Sequence, residues 1–309
     1  MLGCQSKAIS GDSVKILAIA LLSILVLAGC SRGLVIDESY RSLNHDSRVQ
    51  YVVVHYTSSG FDRSLASLTV GQVSSHYLIN ERPPTIYRLV DEDRRAWHAG
   101  DSSWQGRTWL NASSIGIELV HPGYTDSPEG RQWHPWNPAQ IEALIPLLRD
   151  ILQRHGLGPE RVIGHSDIAP QRKVDPGPLF PWQRLAEAGV AIWPATADLE
   201  RYTSELAGWS PPVLWFQQSL RQFGYQVPEH GEADQATRNV IAAFQMRFRP
   251  GRHDGLPDAQ TAAILAALVP EAAASPMWCR PQGGAILAGD GRYPPCMPPG
   301  QLLLPDSTY

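Results

Sequence analysis

Three residues of the types that build a metal centre stand far apart in this chain: His55, His165 and Asp175. His55 lies near the end of YVVVHYT (Tyr51–Thr57), a β-branched run that reads as a buried strand. His165 follows the apolar Val162-Ile163-Gly164, and Asp175 sits on the loop beyond it. Pro170, Pro176, Pro178 and Pro181 forbid helix along that loop and give it a shaped course. Two imidazoles and one carboxylate suit Zn²⁺, and three protein ligands leave a fourth position for water. Zinc brings the pKa of such a water toward about 7. A general base is then needed beside it, and Glu118 is the candidate, set among the apolar residues of SIGIELV (Ser114–Val120). A carboxylate in such a strand must be paired or have its pKa raised. Lys173, two residues before Asp175 and on the same side of an extended backbone, supplies a cation for a developing oxyanion. Together these are the parts for metal-assisted amide hydrolysis.

Each residue also has a plainer reading. His55 alone is a hydrogen-bonded core histidine, and Glu118 alone is a residue on a solvent face. Lys173 and Asp175 alone are a structural ion pair beside a buried His165. The apolar residues Ile115, Ile117 and Leu119 occupy both parities around Glu118, which weighs against a solvent face there. His98, in RAWHAG (Arg95–Gly100), is a third imidazole, expected to line the cleft without binding metal.

The elements that must position these groups alternate between strand and helix. Further strands are expected around His76–Asn80 and Thr85–Val90, with a short helix from Ser64 to Val70. Pro138–Gly156 is an amphipathic helix with Asn137 as N-cap, Pro138 at its first position and Gly156 as its stop. Its buried stripe is Ile141, Leu144, Ile145, Leu148, Ile151 and Leu152, with a kink expected at Pro146 and His155 in a structural role. A short helix is expected over Pro181–Ala188. The interleaving predicts an α/β domain over residues 49–193, a mixed central sheet covered by helices. Residues 194–212 read as a linker, and 213–269 as three helices, Val213–Phe223, Asp234–Phe248 and Asp258–Leu268. Residues 270–309 form a Pro/Gly-rich extension.

Composition narrows the function classes. With 309 residues, a hydrophobic fraction of 43% and a net charge of −4, the chain can bury a full core but has no basic field for nucleic acid. Lys7 and Lys15 precede the apolar Ile16–Gly29, shorter than the roughly 20 residues of a spanning helix and ending in small residues, the pattern of a secretory signal. Leu27-Ala28-Gly29-Cys30 resembles a bacterial lipobox, which implies cleavage after residue 29 and lipidation of Cys30. Ser31 in the next position then implies the outer membrane, facing the periplasm, with residues 30–48 as a tether. Cys279 and Cys296 remain as a possible disulfide in an oxidising compartment. Nothing in the sequence sets an oligomeric state.

The motifs VVVHYTS, SSHYLI, RAWHAG, SIGIEL and GHSDIAPQRKVDPGPLFPW, in that order, resemble the zinc-dependent N-acetylmuramoyl-L-alanine amidases of the type 2 family, whose fold is shared by T7 lysozyme and the peptidoglycan recognition proteins. The resemblance runs from about residue 49 to residue 193 and is nearest to a lipid-anchored outer-membrane branch with a peptidoglycan-binding-like helical domain. It implies one zinc held by His55, His165 and Asp175, an acid/base role for Glu118 and an oxyanion-stabilising role for Lys173. The implied substrate is peptidoglycan or its muropeptides, cut between N-acetylmuramic acid and L-alanine. Asn111 and His98 are implied in substrate binding. Relatives often carry an arginine where this chain has Trp109, so Arg107 is the residue expected to serve the third stem position. The helical domain is expected to be a targeting appendage, dispensable for soluble muropeptides. The alternative on the same fold is a non-catalytic muropeptide-recognition protein.

Overall fold

The run of valines before His55 leaves no face of Tyr51–Tyr56 for water, and all six residues are buried in β1, an inner strand of a five-stranded sheet. The computed structural model describes Leu34 and residues 36–278. The expected signal segment 1–29, Cys30, and Cys279 and Cys296 with the rest of the extension beyond residue 278 lie outside the described residues. The chain divides into a unit ending at Asp46 and one beginning at Ser47. In the first unit, the described residues carry no helix or strand, and Ser39 N donates to Asp37 Oδ1 at 2.8 Å.

In the second unit α1 (Phe61–Thr69), β2 (Tyr77–Ile79) and β3 (Ile86–Arg88) follow β1. A short hairpin, β4 (Ser103–Trp104) and β5 (Arg107–Thr108), precedes β6 (Ser114–Leu119). A second hairpin, β7 (Tyr124–Ser127) and β8 (Gly130–Trp133), leads to α2 (Pro138–His155). Then come β9 (Val162–Gly164), the one-turn α3 (His165–Ile168) and α4 (Trp182–Glu187). The sheet order is β3-β2-β6-β1-β9, parallel except for β3 on the edge. This is the mixed α/β sheet expected from the sequence. Neither hairpin was expected, because their strands are two to four residues long and largely polar.

The α2 helix begins and ends as its sequence dictates. Asn137 Oδ1 accepts from Ala139 N at 3.0 Å, and Gly156 closes the helix at φ +64°, a conformation costly for any residue with a Cβ. The helix continues through Pro146, and all six residues of its expected stripe are buried. They pack on Val52, Val54, Ile115, Ile117 and Val162, which share one face of the sheet.

The other face is covered differently. Tyr51, Val53 and Ile163 join one apolar cluster with Val240, Phe244 and Phe248. Those last three belong to α7 (Gln235–Phe248), which with α6 (Val213–Phe223) and α8 (Ala259–Leu268) makes the expected three-helix module. The segment expected as a linker is not extended throughout, since it folds α5 (Thr196–Leu206), whose Tyr202 and Leu206 enter the same cluster as Ile264 and Leu265 of α8. Its apolar residues are few and flanked by Pro and Gly, so its pattern is faint in the sequence. The module therefore shares a core with the sheet rather than hanging from it.

Candidate active site

At the C-terminal edge of the sheet, β1 delivers His55 and β9 runs directly into His165, the first residue of α3. The proline-shaped loop returns Asp175 to both, with Ser166 N donating to the Asp175 carbonyl at 2.8 Å. His55 Nδ1 and His165 Nδ1 are 2.9 Å apart. Asp175 Oδ2 is 3.1 Å from His165 Nδ1 and 3.3 Å from His55 Nδ1. All three residues are buried.

The hydrogen bonds around the two rings fix their protons. Ala99 O, 3.2 Å from His165 Nε2, can only accept, so that nitrogen carries hydrogen. Ser114 Oγ gives its one proton to Leu110 O at 2.6 Å and must accept from His98 Nε2 at 3.2 Å. His98 Nδ1 then bears a lone pair, because burial, followed by the neighbouring His55 and His76, holds this ring's pKa well below the ordinary value. It accepts from His55 Nε2 at 3.0 Å. Burial, then the charge of His165, pushes the His55 pKa down to about 4, so His55 Nδ1 also presents a lone pair to the centre. Burial works against the Asp175 charge, but His165 and His55 hold its carboxyl well below the usual carboxylate range.

Electron-rich atoms therefore converge on one point and require a positive charge between them: a proton, or a metal ion in its place. Ligand atoms about 2.0–2.1 Å from a tetrahedral zinc stand about 3.3 Å apart, close to the separations found here. The donor set and its spacing fit the ion, and each ring is oriented by a hydrogen bond from its other nitrogen. His55, His165 and Asp175 also form a group able to hold a metal, with ligand atoms all within 4.8 Å of one another.

Glu118 lies beside this centre in a cavity of about 440 Å³, whose walls include His98, His165, Lys173, Asp175 and Trp97. Its Oε2 is shielded from solvent and has no hydrogen-bond partner. Burial, then the Asp175 charge, raises its pKa to about 8, with Lys173 pulling the other way. A carboxyl poised in this way can take up and return a proton near neutral pH.

The residues expected to bind substrate are more dispersed. His98 lines the cavity but also carries the bond to His55. Asn111 is buried, and its Oδ1 accepts from His98 N at 3.0 Å and Ala99 N at 2.7 Å, so it fixes the backbone that His98 and Ala99 share. Arg107 is exposed on β5 and is not among the residues lining the cavity. Trp109 is 64% exposed and adopts φ +56°.

Sequence reasoning missed three supports. Ser114 anchors the His98 ring. Arg172 donates to Ala99 O and, from Nε, to Asp101 O at 3.1 Å, fixing the carbonyl that His165 uses. Gly116, in mid-strand, lies under His98, where a Cβ would come within 2.4 Å of the ring. A glycine inside an apolar strand is the one signal that pointed to such a close approach.

A profile of the family N-acetylmuramoyl-L-alanine amidase matches residues 45–178, and one described as a putative peptidoglycan binding domain matches residues 210–265. The chain is 47% identical over 264 residues to N-acetylmuramoyl-L-alanine amidase AmiD of Escherichia coli (strain K12), covering 79% of this chain and 94% of that protein. Its fold matches the structure of that AmiD in complex with the substrate anhydro-N-acetylmuramic acid-L-Ala-D-gamma-Glu-L-Lys, with a TM-score of 0.73, 44% identity and coverage of 78% of this chain and 96% of the other. It also matches AmpDh3 from Pseudomonas aeruginosa, with a TM-score of 0.72, 40% identity and coverage of 77% and 98%.

Proposed function

The chain belongs to the N-acetylmuramoyl-L-alanine amidase family, and on that premise we propose that it hydrolyses the amide between the lactyl group of N-acetylmuramic acid and L-alanine with one zinc held by His55, His165 and Asp175. One observation carries this reading: the electron-rich atoms of these three residues converge beside a shielded, unpartnered carboxylate oxygen of Glu118. Zinc bound there supplies Lewis acidity, acidifying water and polarising the scissile carbonyl. Glu118 removes the proton of the attacking water and returns it to the amine of the departing L-alanine. Lys173, on the wall of the same cavity, is the cation assigned to the oxygen that gains negative charge. Release of the amine then leaves a free lactyl carboxylate on the sugar.

The AmiD structure is a complex with an anhydro-muramyl peptide substrate, which supports anhydro-muropeptides as substrates here. The match to a putative peptidoglycan binding domain supports action on the wall itself. Mass analysis of products from purified sacculi and from anhydro-muropeptides, with and without a chelator, tests the reading. Free lactyl ends that vanish with the chelator are expected, and cleavage within the stem peptide overturns it.

The sequence around Cys30 supports a lipid anchor in the outer membrane, with the enzyme facing the periplasm. Among the described residues no helix is long and apolar enough to cross a membrane. Cys30→Ala should release the protein from the outer-membrane fraction, and retention there defeats the proposal.

A further inference from the structure

The buried carboxylate of Asp167 has no part in the chemistry above, yet all its partners are accounted for. It lies two residues after His165 in the same single helical turn. Its Oδ2 accepts from Gly164 N at 2.8 Å, which caps α3 at the residue before His165. The same oxygen accepts from Arg247 Nη1 at 2.8 Å, and Oδ1 accepts from the Tyr225 hydroxyl at 2.5 Å. Arg247 is on α7, and Tyr225 follows α6, so both belong to the helical module.

Arg247 does more than neutralise this charge. Its Nη2 donates to Val162 O at 3.0 Å, and its guanidinium lies 4.4 Å from the centre of the Trp182 ring. One side chain thus holds the strand before Gly164 and the carboxylate after His165. Arg247 is 3% exposed and Asp167 is 1% exposed, so neither charge has water as a substitute partner. The guanidinium fork is what allows the double grip, which a lysine could not reproduce. Ile168 and Ala169, next along the chain, pack in the apolar cluster that contains Val240 and Phe244 of α7.

We propose that Arg247 and Tyr225 are positioning residues for the metal ligand His165, which makes the helical module a working part of the metal site as well as a candidate wall-binding unit. The inference rests on the zinc reading above. If Arg247 is lost, the Asp167 carboxylate turns toward other donors, the cap on Gly164 loosens, and the His165 ring leaves the direction that its bond to Ala99 O requires.

The test compares the full chain with Arg247→Met, Tyr225→Phe and Leu265→Ala, the last a core truncation in α8 that destabilises the module while leaving every hydrogen-bond partner of Asp167 in place. Zinc affinity is read by competition with a chelator, ligand geometry by the visible absorption of the cobalt-substituted protein, and turnover as kcat and KM on an anhydro-muropeptide, all well below each variant's Tm. Arg247→Met should bind zinc about 10-fold more weakly, a loss of the size seen when a ligand's hydrogen-bonded support is removed. It should also shift the cobalt spectrum and lower kcat more than it raises KM. Tyr225→Phe should move the same readouts in the same direction by a smaller factor, and it carries the test if Arg247→Met does not fold. Leu265→Ala should lower Tm while leaving zinc affinity and the cobalt spectrum at wild type. Wild-type metal binding and spectrum in Arg247→Met and Tyr225→Phe overturn the proposal and leave the zinc reading standing. Equal weakening by Leu265→Ala overturns it as well, since the effect would then follow global stability. An unsubstituted protein that takes up neither zinc nor cobalt overturns both.

Discussion

His55 and Glu118 occupy matched positions of the parallel β1–β6 ladder, so both side chains leave the sheet on the same face. On that face His55 contacts His165 in the group able to hold a metal, and Glu118 is left without a hydrogen-bond partner for Oε2. Backbone register alone therefore sets a residue of the candidate metal group beside a buried carboxyl. Neither depends on a flexible loop for its place, which is how a site of this kind holds its geometry.

The Glu118→Gln variant should keep one zinc per chain and lose proton transfer, with kcat falling about 10²–10⁴-fold. Metal analysis and kinetics on an anhydro-muropeptide check this. Wild-type turnover would remove Glu118 from the mechanism.

Lys173→Met should also retain the metal but lower kcat by about 10²–10³-fold, the range for loss of one oxyanion donor. KM should change much less. A rise in KM with kcat unchanged would move Lys173 from transition-state stabilisation to ground-state binding.

Removing the metal should abolish turnover and lower Tm. At free zinc 1,000 times its Kd, binding stabilises the folded chain by about 4 kcal/mol. A thermal melt with and without chelator reads the shift, and His165→Ala should show none. Identical melts for the wild-type chain would contradict a metal site at these residues.

Gly116→Ala adds one methyl group in the interior of β6, where it would meet His98 Cγ at 2.4 Å. Displacing that ring breaks its bond to His55, so zinc affinity should fall about 10–100-fold. Chelator competition measures this. An unchanged affinity would show that His98 does not orient His55.

Glu92 gives the acid limb of stability. Burial pushes its carboxyl up, but bonds from Arg154, Tyr77 and His155 more than reverse this and hold its pKa at about 2, against an ordinary 4.5. A lowered folded-state pKa means that the contribution is complete above pH 4.5 and is lost as pH falls toward 2. Glu92→Gln should therefore lower Tm at neutral pH and flatten its decline across that window. Parallel curves for the two proteins would show that this cluster does not set the limb.

Much of the site could be read from the chain because its residues carry their own chemistry. The valines before His55 set a strand, the prolines after His165 set a loop, and Asn137 with Gly156 bounds α2. What could not be read depends on partners distant in sequence. Asp167, in the run SDIAP, looks like an ordinary loop acid, and its partners Tyr225 and Arg247 lie 58 and 80 residues away in another module. Local periodicity describes how an element packs, not which distant cation it buries. The hairpins and α5 were missed because short, polar or proline-flanked segments show little contrast between their faces.

Both histidine rings end on backbone carbonyl oxygens, Ala99 O directly and Leu110 O through His98 and Ser114, rather than on acids. The outer nitrogen of each ring is thereby spent on a neutral acceptor, and Asp175 alone brings a carboxylate to the cluster. A dication seated there would keep a surplus of positive charge, and so would stay electron-hungry toward whatever oxygen approaches. A cysteine-rich cage would instead quench that appetite.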